Sequence, residues 1–262
     1  MTFTQEAIYI GLLILGILAT FATAGLLLWL CSFSRFAPRF QSLTNLSPQV
    51  VAIVGILFAL YTTFFASDIW NIRDRAQTAI QQEAEAMHGL FRLAEQQPPT
   101  IGAPIIAALR EYARATTQDE WPLLARGEPP GERTLERWRD LLRTVLADPV
   151  AKGLPTSVHT IMVQEVERVQ VARHQRIAQS QRHGDPLKWF AVACLGAFTL
   201  LTVALVHLDN WRTQLAALLI YSAAISVSFA AAYLQRSPFQ VFVVSPQPIA
   251  ELITMESLLD RR

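Results

Sequence analysis

Asp68 is the residue whose type and place most invite chemistry. It ends a series, Ala52, Ile56, Leu60, Phe64 and Asp68, that recurs every four residues and so forms one slowly drifting stripe on a helix. A carboxylate at the edge of hydrocarbon is costly unless it is paired or hydrated, which makes Asp68 a functional candidate. Two readings stand. Either Asp68 faces a water-filled path, or it is interfacial and pairs with Arg73 or Arg75. The apolar part of the stripe likewise serves either helix packing or the lining of a pore.

Enzymatic chemistry finds no support. The sequence has no GxSxG elbow, P-loop, HExxH or GxGxxG. His88, His159, His174, His183 and His207 are scattered, and His174 and His183 do not share a helix face as a ligand pair would. Glu83, Glu85 and Glu95 read as a solvated helix face. Cys31 and Cys194 lie in or beside apolar blocks without CxxC spacing. The chain is therefore not expected to be an enzyme, and neither a metal nor a cofactor is expected. A net charge of +1, with no basic stripe interleaved with aromatics, gives no reason to expect nucleic acid.

The elements that must position Asp68 are membrane helices. Charged residues make up only 16% of the 262 and mean hydropathy is +0.29, and the charge is concentrated between Trp70 and Lys188. About 20 apolar residues cross ~30 Å of hydrocarbon as a helix. Four blocks meet this need, at 7–30, 48–70, 189–208 and 214–234. Pro48 opens the second, and Trp189 and Trp211 stand at span ends, where an amphipathic ring favours the interface. The first block lacks a basic leader and is too long for a signal peptide, so it reads as a retained span. Residues recurring every four (Gly55, Ala59, Thr63 and Ser67; Ser222, Ser226 and Ala230) form small-residue ridges that predict a tight bundle.

Lys and Arg near the span ends set the orientation. Arg35, Arg39 and Arg212 fall on one side. Arg73, Arg75, Arg173, Arg176, Lys188 and the C-terminal arginines fall on the other, which is expected to be the cytoplasm together with both termini. The fold class is thus all-α, a four-span bundle (1–70 and 189–235) with a cytoplasmic helical domain (71–188) inserted between spans 2 and 3, and a cytoplasmic C-terminal segment (236–262).

Within the inserted domain, Trp70 to Gln97 is helical, with Ile72, Ala76, Ile80, Met87, Leu90 and Phe91 on one face. No breaker separates it from span 2, so one long helix is expected, stopped by Pro98 and Pro99. Further helices are expected at 103–116, at 134–147 with Leu135, Trp138, Leu142 and Val145 inward, and at 157–182. The stretch Gln118 to Pro122 reads as a turn anchored by a buried aromatic, and Gly127 to Gly131 as a loop. The segment 237–246 reads as extended, followed by a short helix at 249–259.

The run from Ala59 to Asn71 resembles the second-span signature of bestrophins, GFYVT followed by an RWWN-type ending. Tyr61, Thr63, Trp70 and Asn71 agree with it. Most of the chain resembles the bacterial bestrophin-like family, a domain of unknown function. That resemblance is carried by Arg75-Ala76, Glu83 to Ala86, Glu120-Trp121-Pro122, the basic helix from Arg173, and Pro238-Phe239 with Val244 to Pro248. It implies an oligomer, a pentamer by analogy, in the bacterial inner membrane. Copies of the second span would line a hydrophobic neck at Ile56, Leu60 and Ala52, and an inorganic ion would be the partner besides lipid. Asp68 stands where the bestrophin pattern has Arg, and Ile69 where it has Trp. A ring of carboxylates would favour cations. The alternative function is a non-conducting membrane scaffold or regulator whose cytoplasmic helices bind a partner.

Overall fold

A computed structural model describes residues 3–41, 48–180, 186–234, 239 and 244–255. Every regular element among the described residues is helical. The chain divides into two compact units, one formed by 1–70 and 184–236, the other by 71–183 and 237–262.

The first unit carries the spans. α1 (Phe3–Leu28) passes into a π-helical segment (Trp29–Phe33), and a short α2 (Ala37–Gln41) follows. α3 (Pro48–Glu95) is a single helix that begins in this unit, as the lack of a breaker predicts. α9 (Pro186–Val206) and α10 (Trp211–Leu234) complete it. Among the described residues, four helices are long and apolar enough to cross a membrane: Ile8–Phe33, the apolar part of Ala52–Glu95, Pro186–Val206 and Trp211–Leu234.

Packing in this unit is uneven. Ala24, Cys31, Leu200, Val203, Ala204 and Leu218 form one buried cluster. Gln214, fully buried, ties the end of α9 to the first span. Its amide donates to the Ala204 carbonyl (2.7 Å) and its carbonyl accepts from the Ser32 hydroxyl (2.7 Å). Unpaired amide groups in hydrocarbon would be expensive, so both ends of this side chain are used. A second cluster is aromatic, with Trp189 meeting the edges of Phe65 (4.7 Å between centroids) and Phe229 (5.4 Å). Gly16 is required there, because a Cβ would lie 2.5 Å from the Phe229 ring. Of the two small-residue ridges, Ser222 and Ser226 are buried. The ridge on α3 is not packed within the chain. Ala59, Thr63 and Ser67 are exposed, and a Cβ on Gly55 would meet nothing within 4 Å.

The second unit contains the rest of α3, then α4 (Pro99–Arg114), a π-helical segment (Ala115–Glu120), α5 (Trp121–Ala125), α6 (Glu132–Leu146), α7 (Asp148–Gly153), α8 (Thr156–Ser180) and α11 (Gln247–Thr254). Its core draws on every one of these α-helices and includes Met87, Leu90, Phe91, Leu109, Leu141 and Val169. Ile249 and Leu252 bring α11 into it, and Phe239 packs edge-on against Trp121 (5.3 Å). Gly127, at φ 71°, closes α5, a left-handed conformation that glycine adopts without cost.

Two expectations need correction here, and one helix was not expected. The stretch Gln118 to Pro122 is helical, not a turn, although Trp121 is buried as expected. α7 was not foreseen, because Pro149 and Gly153 leave it only six residues. The inward face of α6 is rotated: Thr134, Leu141 and Val145 are buried, while Leu135, Trp138 and Leu142 are half-buried. Most of the segment 237–246 and the end of the last helix lie outside the described residues.

Candidate functional site

The candidate stripe lies on α3 because that helix keeps its 3.6-residue period without interruption through the span. Ala52, Ile56, Leu60, Phe64 and Asp68 are all exposed on the single chain, Ile56 at 65% and Leu60 at 52%. The small ridge of Gly55, Ala59, Thr63 and Ser67 runs directly beside it. The opposite side of the helix, at Phe65 and Ile69, is buried against Trp189, Val192 and Ala232. α3 therefore turns one side to its own bundle and leaves a broad second side, large apolar residues flanked by small ones, without a packing partner among the described residues.

Asp68 forms an ion pair with Lys188, in the first turn of α9. The interfacial reading of Asp68 names Arg73 or Arg75 as its partner, but Lys188 reaches the carboxylate from the neighbouring helix. Both side chains remain about half exposed (51% and 45%), so the pair is screened rather than locked. Of the other motif residues, Thr63, Trp70 and Asn71 are exposed and Tyr61 is half-buried. Glu120, Trp121 and Phe239 are buried, Pro122 is exposed, and Pro238 lies outside the described residues.

The second unit holds an arrangement that sequence reasoning missed. Glu83 of α3, Glu120 at the end of the π-helical segment, and Arg173 and Arg176 of α8 are all buried. Arg176 donates through Nε to Glu83 (2.7 Å), and through Nη2 to Glu83 (3.2 Å) and Glu120 (2.7 Å). Arg173 donates to the other oxygen of Glu120. The Tyr112 hydroxyl donates to Glu83 (2.5 Å), and the Arg176 guanidinium lies 5.9 Å from the Trp121 ring centre. Two carboxylates and two guanidiniums balance. Burial alone would favour a neutral Arg176, but Glu83 and Glu120 more than offset it and hold the guanidinium charged, above its ordinary range.

These positions correct two expectations. Glu83 is not on a solvated face, and Arg173 and Arg176 are not simple flanking charges. A signal existed. On α3 the buried series Ala76, Ile80, Glu83, Met87, Leu90 and Ala94 alternates steps of three and four, and Glu83 occupies an apolar place in it. On α8 the series Met162, Val166, Val169, Arg173, Arg176 and Ser180 does the same. Charges in register with a core are partners for one another. In the π-helical segment Thr116 and Glu120, four residues apart, both turn inward. Glu120-Trp121 is therefore a structural motif: the acid binds two arginines, and the ring packs beside one of them.

Burial, and then the charge of Glu83, push the Tyr112 hydroxyl well above its ordinary ionisation range. The unfolded chain loses this proton near pH 10 while the folded chain keeps it. Folding stability is therefore expected to be unaffected by Tyr112 below about pH 10 and to fall above it. Tyr112→Phe should remove that part of the alkaline slope in denaturation measured from pH 8 to 11.

Among the described residues, no group of three or more His, Cys, Asp or Glu is placed to hold a metal. What the geometry defines is a helical membrane protein with an exposed stripe on its second span and a charge-bonded helical unit.

Residues 18–249 match the family model described as the Bestrophin-like domain, and the chain belongs to that family. No curated protein matches the sequence. Solved structures are similar in fold. A point mutant of a bacterial bestrophin homologue from Klebsiella pneumoniae aligns over 94% of this chain and 96% of its own, with a TM-score of 0.68 and 11% identity. A structure described as a membrane protein carrying a point substitution aligns over 94% and 95%, with a TM-score of 0.69 and 11% identity.

Proposed function

We propose that this protein is an oligomeric ion channel of the bacterial inner membrane, with copies of α3 gathered around an axis so that Ala52, Ile56 and Leu60 line a hydrophobic neck. The observation that carries this reading is the unpartnered side of α3. Large apolar residues there could simply face lipid, but the ridge of Gly55, Ala59, Thr63 and Ser67 beside them is the surface on which helices approach closely. Five copies, the number suggested by bestrophins, would pack ridge against neighbour and turn the stripe inward. Family membership supports the same assembly. The second unit, residues 71–183 with the C-terminal segment, is then the cytoplasmic domain, and both termini lie on its side of the membrane.

A narrow apolar ring controls permeation by dewetting rather than by binding. At the cytoplasmic mouth, each Asp68 is neutralised by its own Lys188, so five such pairs add no net charge. The departure from the bestrophin pattern at Asp68 therefore does not by itself make the mouth cation-selective. Removing the cation should. Lys188→Gln exposes five carboxylates and is expected to move the reversal potential under a salt gradient toward the cation value, while Asp68→Asn moves it toward the anion value. Because the pair is half exposed, each change should cost no more than ~1 kcal/mol of stability.

The direct test is reconstitution of the purified protein in planar bilayers, with its mass measured first. A multi-copy assembly that passes current supports the channel. A single subunit without conductance leaves the scaffold reading, in which the helical unit serves a partner.

A further inference from the structure

We propose that the groove inside the membrane unit is a binding site for one lipid acyl chain. It is bounded by α1, α3, α9 and α10, has a volume of about 250 Å³, and is lined almost wholly by hydrocarbon. Its shape is the first argument. α9 lines it from Trp189 to Leu200, eleven residues apart, or about 16 Å at 1.5 Å per residue. A groove that long with that volume is slender, which suits an extended chain better than a compact ring.

The chemistry of the wall is the second argument. Thr20 and Thr23 turn their hydroxyls onto the carbonyls of Gly16 (3.0 Å) and Ala19 (2.8 Å). Ser228 does the same to Ala224 (3.0 Å). These polar residues thus present methyl and methylene groups to the groove, with the Thr62 hydroxyl left over. Enclosed apolar cavities of ~150 Å³ stay dry and accept hydrocarbon ligands. In a bilayer the surrounding medium is itself hydrocarbon, and exposed Ala193 and Ala197 form an open rim through which a chain can enter. Trp189 closes one end with its edge-on contacts to Phe65 and Phe229. Its neighbour Lys188 and the partner Asp68 stand at that end, where a headgroup would lie.

This proposal rests on the four spans being embedded in a membrane, and not on conduction. The probe is a vesicle of phosphatidylcholine brominated on the upper part of its acyl chain, near the headgroup, which quenches tryptophan on contact. The share carried by one tryptophan is read as the difference between the full-length protein and its Trp→Phe variant. Trp29→Phe reports embedding, since Trp29 is 55% exposed on the first span, and Trp189→Phe reports the groove. Ala193→Phe, which fills the rim, is expected to reduce Trp189 quenching severalfold and leave Trp29 quenching unchanged. Trp29 quenched with Trp189 protected would mean that protein fills the groove, and would overturn the proposal while sparing the membrane reading. Trp189 quenching that survives Ala193→Phe would assign it to lipid outside the groove and would also overturn it. If Ala193→Phe does not fold, phospholipid retained per wild-type chain after detergent washing decides. Retention of about one supports the site, and none refutes it.

Discussion

Arg176→Ala is expected to destabilise the charge-bonded helical unit by about 3–5 kcal/mol, enough to unfold many domains, because it strands a buried carboxylate. Arg176 is fully buried and holds both oxygens of Glu83 together with one of Glu120. Once it is removed, Glu120 keeps Arg173, but Glu83 keeps only the Tyr112 hydroxyl. The measurement is denaturant unfolding followed by helical circular dichroism and by Trp121 emission, which responds because the guanidinium lies over that ring. The control is Glu83→Gln combined with Arg176→Met, which removes both charges and keeps most of the volume. It should recover the larger part of the loss, since a buried ion pair replaced by well-packed neutral groups is close to neutral in stability. An equal loss in the two variants would assign the effect to packing and not to charge.

Leu60→Ala carries the other large effect, this time on conduction. If Leu60 rings the narrowest part of the pathway, five truncations widen it and relieve dewetting. Lowering the barrier by ~1.4 kcal/mol raises current about tenfold. The substitution should leave folding of the single chain nearly untouched, because Leu60 is 52% exposed within it. Phe65→Ala is the contrasting change. Phe65 is 4% exposed and lies in the ring cluster with Trp189, so its loss should lower stability by about 3–5 kcal/mol without opening the path. Unaltered current in Leu60→Ala, measured beside wild type in the same bilayers, would remove Leu60 from the neck.

The membrane helices were the most legible part of the chain, because lipid leaves the backbone few options. Long apolar blocks with charged or proline ends become helices. The continuity of α3 was legible for a related reason: nothing between Pro48 and Glu95 interrupts a helix. Register inside the polar unit was harder to read. Arg173, Arg176 and Glu83 were assigned to water because isolated charges rarely bury. The pairing that lets them bury joins residues 93 and 56 positions apart along the chain. Only their places in the heptad-like rows of α3 and α8 gave a hint. The π-helical segment at Ala115–Glu120 was hidden by its polar sequence, and the pairing of Asp68 with Lys188 by a separation of 120 residues.

The candidate stripe divides in the same way. That Ala52, Ile56, Leu60, Phe64 and Asp68 share one face follows from helical period alone. That this face is left uncovered, while Phe65 and Ile69 turn inward, required the packing of α9 and α10. In the proposed assembly, other copies of α3 cover it.

The most direct test places a spin label at Leu60 in purified, membrane-reconstituted protein and measures distances between copies by pulsed dipolar spectroscopy, with a label at Ile220, exposed at 69% on α10, as the outer reference. Copies of α3 gathered about an axis should give a short distance at position 60 and a much longer one at position 220. Absence of dipolar coupling at position 60, or a separation there as long as that at 220, would contradict a neck built from this helix.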